Sequence, residues 1–398
     1  MFQETSLGIQ PKKYRFVMGF LIVFLCFSAG LIFLNTSPIT PYIMDEFNIT
    51  RGTAGLLTGV ILLGNALFTI PGSLLVGRLP INKLVLIFSF GASLPILSVF
   101  ASNFLSLLFL RICFGICVSG FFPALNPVIM NWFPKKELPL INGLYIAALS
   151  AGIAVSFLIA DPLTEIVGWQ MTLTIFSFVS LLAAVLWLIF ARQTTIQTTT
   201  NLSLHGVFNV FRSKVTLLLA TSDSGPLIQY IALSSWLPTY YYETHGIELS
   251  KANEYTAILP ICGCLMVVIA GFLALKFTKR RPFMFLSGIM LGVTGFASVM
   301  LAEYSFIYVI LIIYGAGSWL YTPFHATIPQ EMQGTSPEKA AATIACVFAI
   351  GGSLSFLAPI LIGYLADITG TYLYGFAIVA ALSWSLVIST YFLPETGK

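Results

Sequence analysis

Long apolar segments follow one another along nearly all of this 398-residue chain. A helix rises 1.5 Å per residue, so crossing about 30 Å of hydrocarbon takes about 20 residues. Twelve segments meet that length: 14–36, 53–77, 83–101, 104–130, 139–160 and 170–191, then 214–240, 252–275, 282–301, 305–329, 340–363 and 371–393. Composition leaves no other solvent for them. Hydrophobic residues make up 58% of the chain and charged residues 9%, against about 25% charged in a soluble domain. The chain cannot clothe itself in polar surface, so the expected fold class is an all-α membrane protein. The first segment follows basic residues but lacks a small-residue cleavage site and is longer than a signal core, so it reads as a span.

Between the sixth and seventh segments lies RQTTIQTTTNLSLHGVFNVFRSK, polar and rich in threonine. It divides the chain into a six-helix half over 1–193, a linker over 194–213 and a second half over 214–398. An even helix number puts both termini on one side, and charge says which. Of the 19 Lys and Arg, only Arg51 and Lys251 fall in the outer loops and only Arg111 within a span. Asp45, Glu46, Asp161, Glu165, Glu243, Glu248, Glu303 and Asp367 gather outside. By the positive-inside rule the termini and linker are cytoplasmic, in a multi-pass protein of the plasma (inner) membrane.

The halves repeat. GICVSGFFPALNP (115–127) matches GAGSWLYTPFHAT (315–327) at Gly115 and Gly315 and at Pro123 and Pro323; SLLVGRLPINK (73–83) matches GFLALKFTKRR (271–281) in its basic ending. Paired six-span units point to a transporter that rocks one half against the other around a central site. The loops ending the two copies, with Arg78, Lys83, Lys276, Arg280 and Arg281, are candidate gating elements. Six cysteines (26, 113, 117, 262, 264, 346) have neither zinc nor disulfide spacing. Cys113 and Cys117 share a helix face, which reads as packing rather than a metal site, so no metal and no cofactor are expected. There is no GxxxxGK[ST] loop for nucleotide and no HExxH or nucleophile–base constellation, which excludes ATP coupling and argues against an enzyme.

On these features the chain resembles the major facilitator superfamily over nearly its whole length. PGSLLVGRLPINK is similar to the family's GxxxDRxGRR loop, with Gly77 where the aspartate is usual and Pro80 in place of a glycine; the second copy has Leu275 at the acidic position. LRICFGICVSG resembles the RxxxG signature, with Arg111 and Gly115 matching. The Pro-containing antiporter signature is missing from YIAALSAGIAVSF. NWFPKKELPLINGLY, the Gly168-Trp169 pair and SSWLPTYYYETHG resemble the cyanate-transporter-like and anion:cation symporter branches. Spans 2 and 8, however, lack the arginines of nitrate porters, and spans 1 and 7 lack those of phosphate-ester exchangers. The resemblance implies that spans 1, 4, 7 and 10 line a central cavity.

Those spans carry Arg111, Asp223 and His325. An ionisable residue within a span costs roughly 2.5–3.5 kcal/mol on insertion scales and is functional by default. Two readings of Asp223 stand: a cavity carboxylate in a helix opened locally at Gly225-Pro226, or the cap of a span that starts near 223. A carboxylate taken out of water loses solvation in its charged form, so an acid in a cavity can load a proton on one side and release it on the other. Arg111 either meets substrate or coupling groups, or fixes the bundle; His325 is a proton-exchange candidate or a structural histidine. Asn35, Gln229, Tyr230, Trp236, Trp319 and Tyr321 are candidates to orient a solute, with Trp236 also suited to an outer aromatic belt. The expected function is secondary active transport of a small solute, such as a small anion or organic acid, by alternating access coupled to protons. A facilitative uniporter and a non-transporting sensor are the alternatives. The expected partners are the solute, protons and membrane lipid, with no nucleic acid, and the expected state is a monomer.

Overall fold

The computed structural model describes residues 13–75, 79–134, 137–192, 210–332 and 337–396. Among them the structure is helical, with no strand. The long helices are α1 (Tyr14–Phe33), α2 (Leu56–Leu75), α3 (Ile81–Ala92), α4 (Phe104–Trp132), α5 (Leu138–Val167) and α6 (Trp169–Phe190). After the linker come α7 (Lys214–His245), α8 (Leu249–Lys276), α9 (Arg281–Met300), α10 (Ile307–Leu320), α11 (Thr322–Glu331), α12 (Pro337–Ser355), α13 (Leu357–Thr369), α14 (Leu373–Ser383) and α15 (Ser385–Phe392). Shorter turns and helices at 37–39, 40–47, 51–54 and 94–100 extend α1, α2 and α3.

Eleven helical segments among the described residues are long and apolar enough to cross a membrane, against twelve marked in the sequence. The difference is α7. At 32 residues it is long enough, at about 48 Å, but threonines, serines, Asp223, Gln229 and a run of tyrosines dilute its apolar character. Every residue from 228 to 241 is buried. A helix wrapped in protein can carry polar side chains that one wrapped in lipid cannot.

One expectation about local structure needs correction. Pro226 does not open α7, which runs unbroken as a helix. Ser222 and Ser224 donate their hydroxyls to the carbonyls of Leu219 and Ala220 at 2.8 and 2.6 Å, binding the turn before the proline to itself. Gly225 serves packing instead. A Cβ there would sit 2.1 Å from the Leu382 carbonyl oxygen and 2.2 Å from Ser385 Oγ, so only glycine lets α14 and α15 approach so closely. The tenth span, by contrast, is interrupted at Tyr321, between α10 and α11. Pro323 lacks an N–H and its ring crowds the carbonyl four residues back. The Trp319 carbonyl accepts from Thr322 Oγ1 at 2.8 Å instead.

Residues before the linker pack on residues after it mainly through α5 against α8, the short helix at 51–54 against α13, and α2 against α12. Leu34, Ile153, Phe157 and Ala257 form a buried cluster across that seam.

Candidate functional site

Asp223 lies ten residues inside α7 and is buried, so the helix does not start at it and it is no cap. Tyr321, at the α10–α11 break, donates its hydroxyl to Asp223 Oδ1 at 2.8 Å. No cation pairs with this carboxylate among the described residues. A turn further along, His325 sets Nε2 3.0 Å from the Leu219 carbonyl and 3.0 Å from Ser222 Oγ. A carbonyl only accepts, so Nε2 bears the proton and Nδ1 is the basic nitrogen. Asp223, Thr322 and His325 line one cavity of about 60 Å³, walled on its far side by Ile344, Val347 and Phe348 of α12. That is room for a few waters.

Arg111 sits elsewhere, fully buried in α4. Its Nε donates to the Leu57 carbonyl at 3.1 Å. Nη1 donates to the Ile32 carbonyl at 2.9 Å and Asn35 Oδ1 at 2.7 Å. Nη2 donates to the Phe33 carbonyl at 3.3 Å and Thr36 Oγ1 at 3.1 Å. A guanidinium has five N–H donors, and all five are engaged by neutral acceptors. Ile32 and Phe33 end α1, where carbonyls lack intrahelical partners, so Arg111 caps α1 from the side. The RxxxG spacing explains its reach: a Cβ on Gly115 would lie 2.2 Å from the Ile61 carbonyl oxygen, so α2 comes close enough to offer Leu57.

The remaining candidates scatter. Asn35 is a partner of Arg111. Gln229 is buried with neither amide atom partnered and points at Gly295 on α9. Tyr230 and Trp319 meet edge to face at 6.1 Å, with the Tyr230 hydroxyl turned toward Trp319 and Ser234 rather than toward any charged group. Trp236 belongs to no surface belt: it is buried and its Nε1 donates to the Pro359 carbonyl at 2.7 Å. Of the loop candidates, Arg78 lies outside the described residues, while Lys83 and Lys276 are exposed. Arg280 grips Glu331 with two nitrogens, at 2.5 and 3.2 Å, and caps α8 through the Ala274 and Phe277 carbonyls. Arg281 meets Glu395 through its backbone and Tyr391 through Nη2. These contacts all stay within the C-terminal segment.

Among the described residues, a set of polar links between the two segments lies at the opposite end, around a residue that sequence reasoning used only for counting charge. Arg51 Nε donates to Glu243 Oε2 at 2.9 Å and to the Tyr372 hydroxyl at 3.0 Å. Tyr372 in turn donates to Glu243 at 2.8 Å. The backbone N–H groups of Arg51 and Gly52 donate to the two oxygens of Asp367 at 3.1 and 2.8 Å. Tyr372, accepting from Arg51 and donating to Glu243, is the hydrogen-bonding hub of this group. Asn253 Nδ2 adds a bond to the Pro38 carbonyl at 3.1 Å. The signal that could have pointed here was a lone arginine among the acidic residues of the loops that charge counting assigns to the outside.

A bundle of membrane-length helices with polar groups buried far from its ends, and with polar closure at one end, defines a membrane transporter. The chain belongs to the Major Facilitator Superfamily, whose model matches residues 20–358. It is 23% identical to the hexuronate transporter of Bacillus subtilis (strain 168), with 95% of each chain covered. It is 24% identical to the nitrite extrusion protein of the same organism, over 98% of this chain and 96% of that one. Its fold is that of a bacterial homolog to the human lysosomal transporter Spinster, solved in an inward-facing, unoccupied conformation. The TM-score is 0.75 and the identity 17%, covering 96% of this chain and 97% of that one. The family and fold are those of transporters, not enzymes.

Proposed function

We propose that this protein is a proton-coupled carrier of a small organic acid, working by alternating access between two six-helix halves, with α7 as the twelfth span. The observation that carries the reading is Asp223: a buried carboxylate with a neutral tyrosine as its partner, on the wall of a small cavity. Its proton inventory can change without breaking an ion pair. The Arg51–Glu243–Asp367 clasp closes what charge placement makes the outer face. That arrangement fits an inward-facing resting form.

Arg111 has no donor left for an anionic group of either kind, so the choice of an organic acid over an inorganic anion rests on the neutral donors. Tyr230 Oη and Trp319 Nε1, which face each other rather than any charged group, are neutral donors and suit hydroxyl groups better than a bare anion. The hexuronate transporter and the nitrite extrusion protein among its relatives mark the two choices. The test is uptake of labelled hexuronate, nitrite and a neutral hexose into proteoliposomes with an imposed pH gradient. Hexuronate should accumulate, saturably and with protons. Accumulation of nitrite alone would overturn the substrate class. Equal, gradient-insensitive equilibration of any of them would replace the symporter with a uniporter.

A further inference from the structure

At the end of α7 nearest the Arg51 clasp, one histidine makes two hydrogen bonds whose proton count can be read. His245 Nδ1 lies 2.9 Å from Glu303 Oε1, and Nε2 lies 3.1 Å from the Tyr240 hydroxyl. Tyr240 Oη also sits 3.0 Å from the Val299 carbonyl, to which it donates. A carbonyl and a carboxylate only accept, and a tyrosine has one proton. With that proton given to Val299, the imidazole must donate to Tyr240 as well as to Glu303. Filling all three contacts therefore takes a proton on both ring nitrogens.

The ring is placed to hold that charge and to report it. It stands in the last turn of α7 and faces the end of α9, where helix dipoles favour a cation. Tyr240 and Tyr241 cap the free α9 carbonyls of Val299 and Ser298 at 3.0 and 2.8 Å. Besides Tyr240, Tyr241 and Glu243 on its own helix, the titratable and charged groups around it are Glu303, between α9 and α10, and Tyr372, beside α14. Behind them stand Lys251 and Tyr255 on α8 and Tyr308 on α10, which reach it only through Tyr241. Tyr240 packs on Tyr372 at 5.7 Å, and Tyr372 is the hub of the clasp.

We propose that His245 is a second proton-binding site, separate from Asp223, through which the pH outside the cell sets the balance between clasped and open outer faces. Protonated, His245 frees the Tyr240 hydroxyl for Val299, and α7 is fastened to α9 beneath the clasp. Neutral, the ring can fill only two of the three contacts. With its proton on Nδ1, the Nε2 lone pair competes for the one tyrosine proton and the Val299 or Tyr240–His245 bond is lost; with its proton on Nε2, the Glu303 tie is lost instead. Acid outside therefore favours the clasped form, and alkali the open one. The inference rests on alternating access but not on any role of Asp223.

The experiment attaches spin labels at two exposed outer positions, Glu46→Cys and Thr369→Cys, in full-length protein lacking its native cysteines and reconstituted in lipid. Distance distributions are recorded at about pH 5.5 and 8, on either side of the ordinary histidine range. The ratio of long to short distances should rise at least about fivefold toward alkaline pH. His245→Gln, checked by thermal unfolding to be folded, should remove most of that shift, and Glu303→Gln should weaken it. Two populations whose ratio ignores pH, or shifts equally in His245→Gln, would overturn the proposal while leaving alternating access standing. A single distance under every condition, with substrate or without, would overturn both.

Discussion

Replacing Asp223 by asparagine should abolish pH-driven accumulation while sparing substrate exchange. Asparagine keeps an acceptor for the Tyr321 hydroxyl and imitates the protonated carboxyl, but cannot release a proton. If one proton travels with a monoanion, no net charge crosses, and one pH unit supplies about 1.4 kcal/mol, a tenfold concentration ratio. The variant should fall to a ratio of about one while counterflow of labelled against unlabelled substrate continues. Asp223→Glu should keep coupling with an altered pH profile. Wild-type accumulation by Asp223→Asn would remove Asp223 from the coupling site and leave His325, with its basic Nδ1, as the next candidate.

Truncating Arg111 to alanine should produce the largest loss of stability in the chain. The change strips donors from three carbonyls and two side-chain oxygens around the end of α1. A buried acceptor left without a partner costs about 1–3 kcal/mol; with water or rearrangement rescuing some, the total is on the order of 4 kcal/mol. Arg111→Lys offers three donors in place of five and should recover part of the loss. The measurement is thermal unfolding in detergent, with transport assayed on whatever folds. A melting temperature unchanged in Arg111→Ala would show that the cap carries no weight. Normal stability with lost uptake would return Arg111 to the substrate.

Asp223, Arg111 and His325 were legible in the sequence for one reason: an ionisable group in an apolar run is conspicuous whatever the fold. Their partners were not. That Tyr321 meets Asp223, whereas Gln229 turns toward α9, depends on helix rotations that apolar periodicity cannot set when a helix is buried on all sides. Arg111 looked available to an anion until Asn35 and Thr36, beyond the end of α1, could be placed against it in space. The lengths of eleven spans followed from hydropathy alone. α7 was marked among the spans as well, and its polar content makes sense because it is wrapped in protein. The clasp was the least legible element of all, since Arg51, Glu243 and Asp367 lie far apart in the chain and are individually ordinary surface charges.

That clasp is built of partly hydrated charge, with the Arg51 side chain 37% exposed, and its strength is therefore not a property of the polypeptide alone. Dissolved ions shorten the reach of such a pair, from about 8 Å at physiological ionic strength to about 3 Å at 1 M. Excluded salts such as sulfate would instead tighten a closure made of leucines. On the proposed topology, a salty and a dilute medium on the clasp's side would thus present two different energy barriers to the same carrier, the first lower than the second.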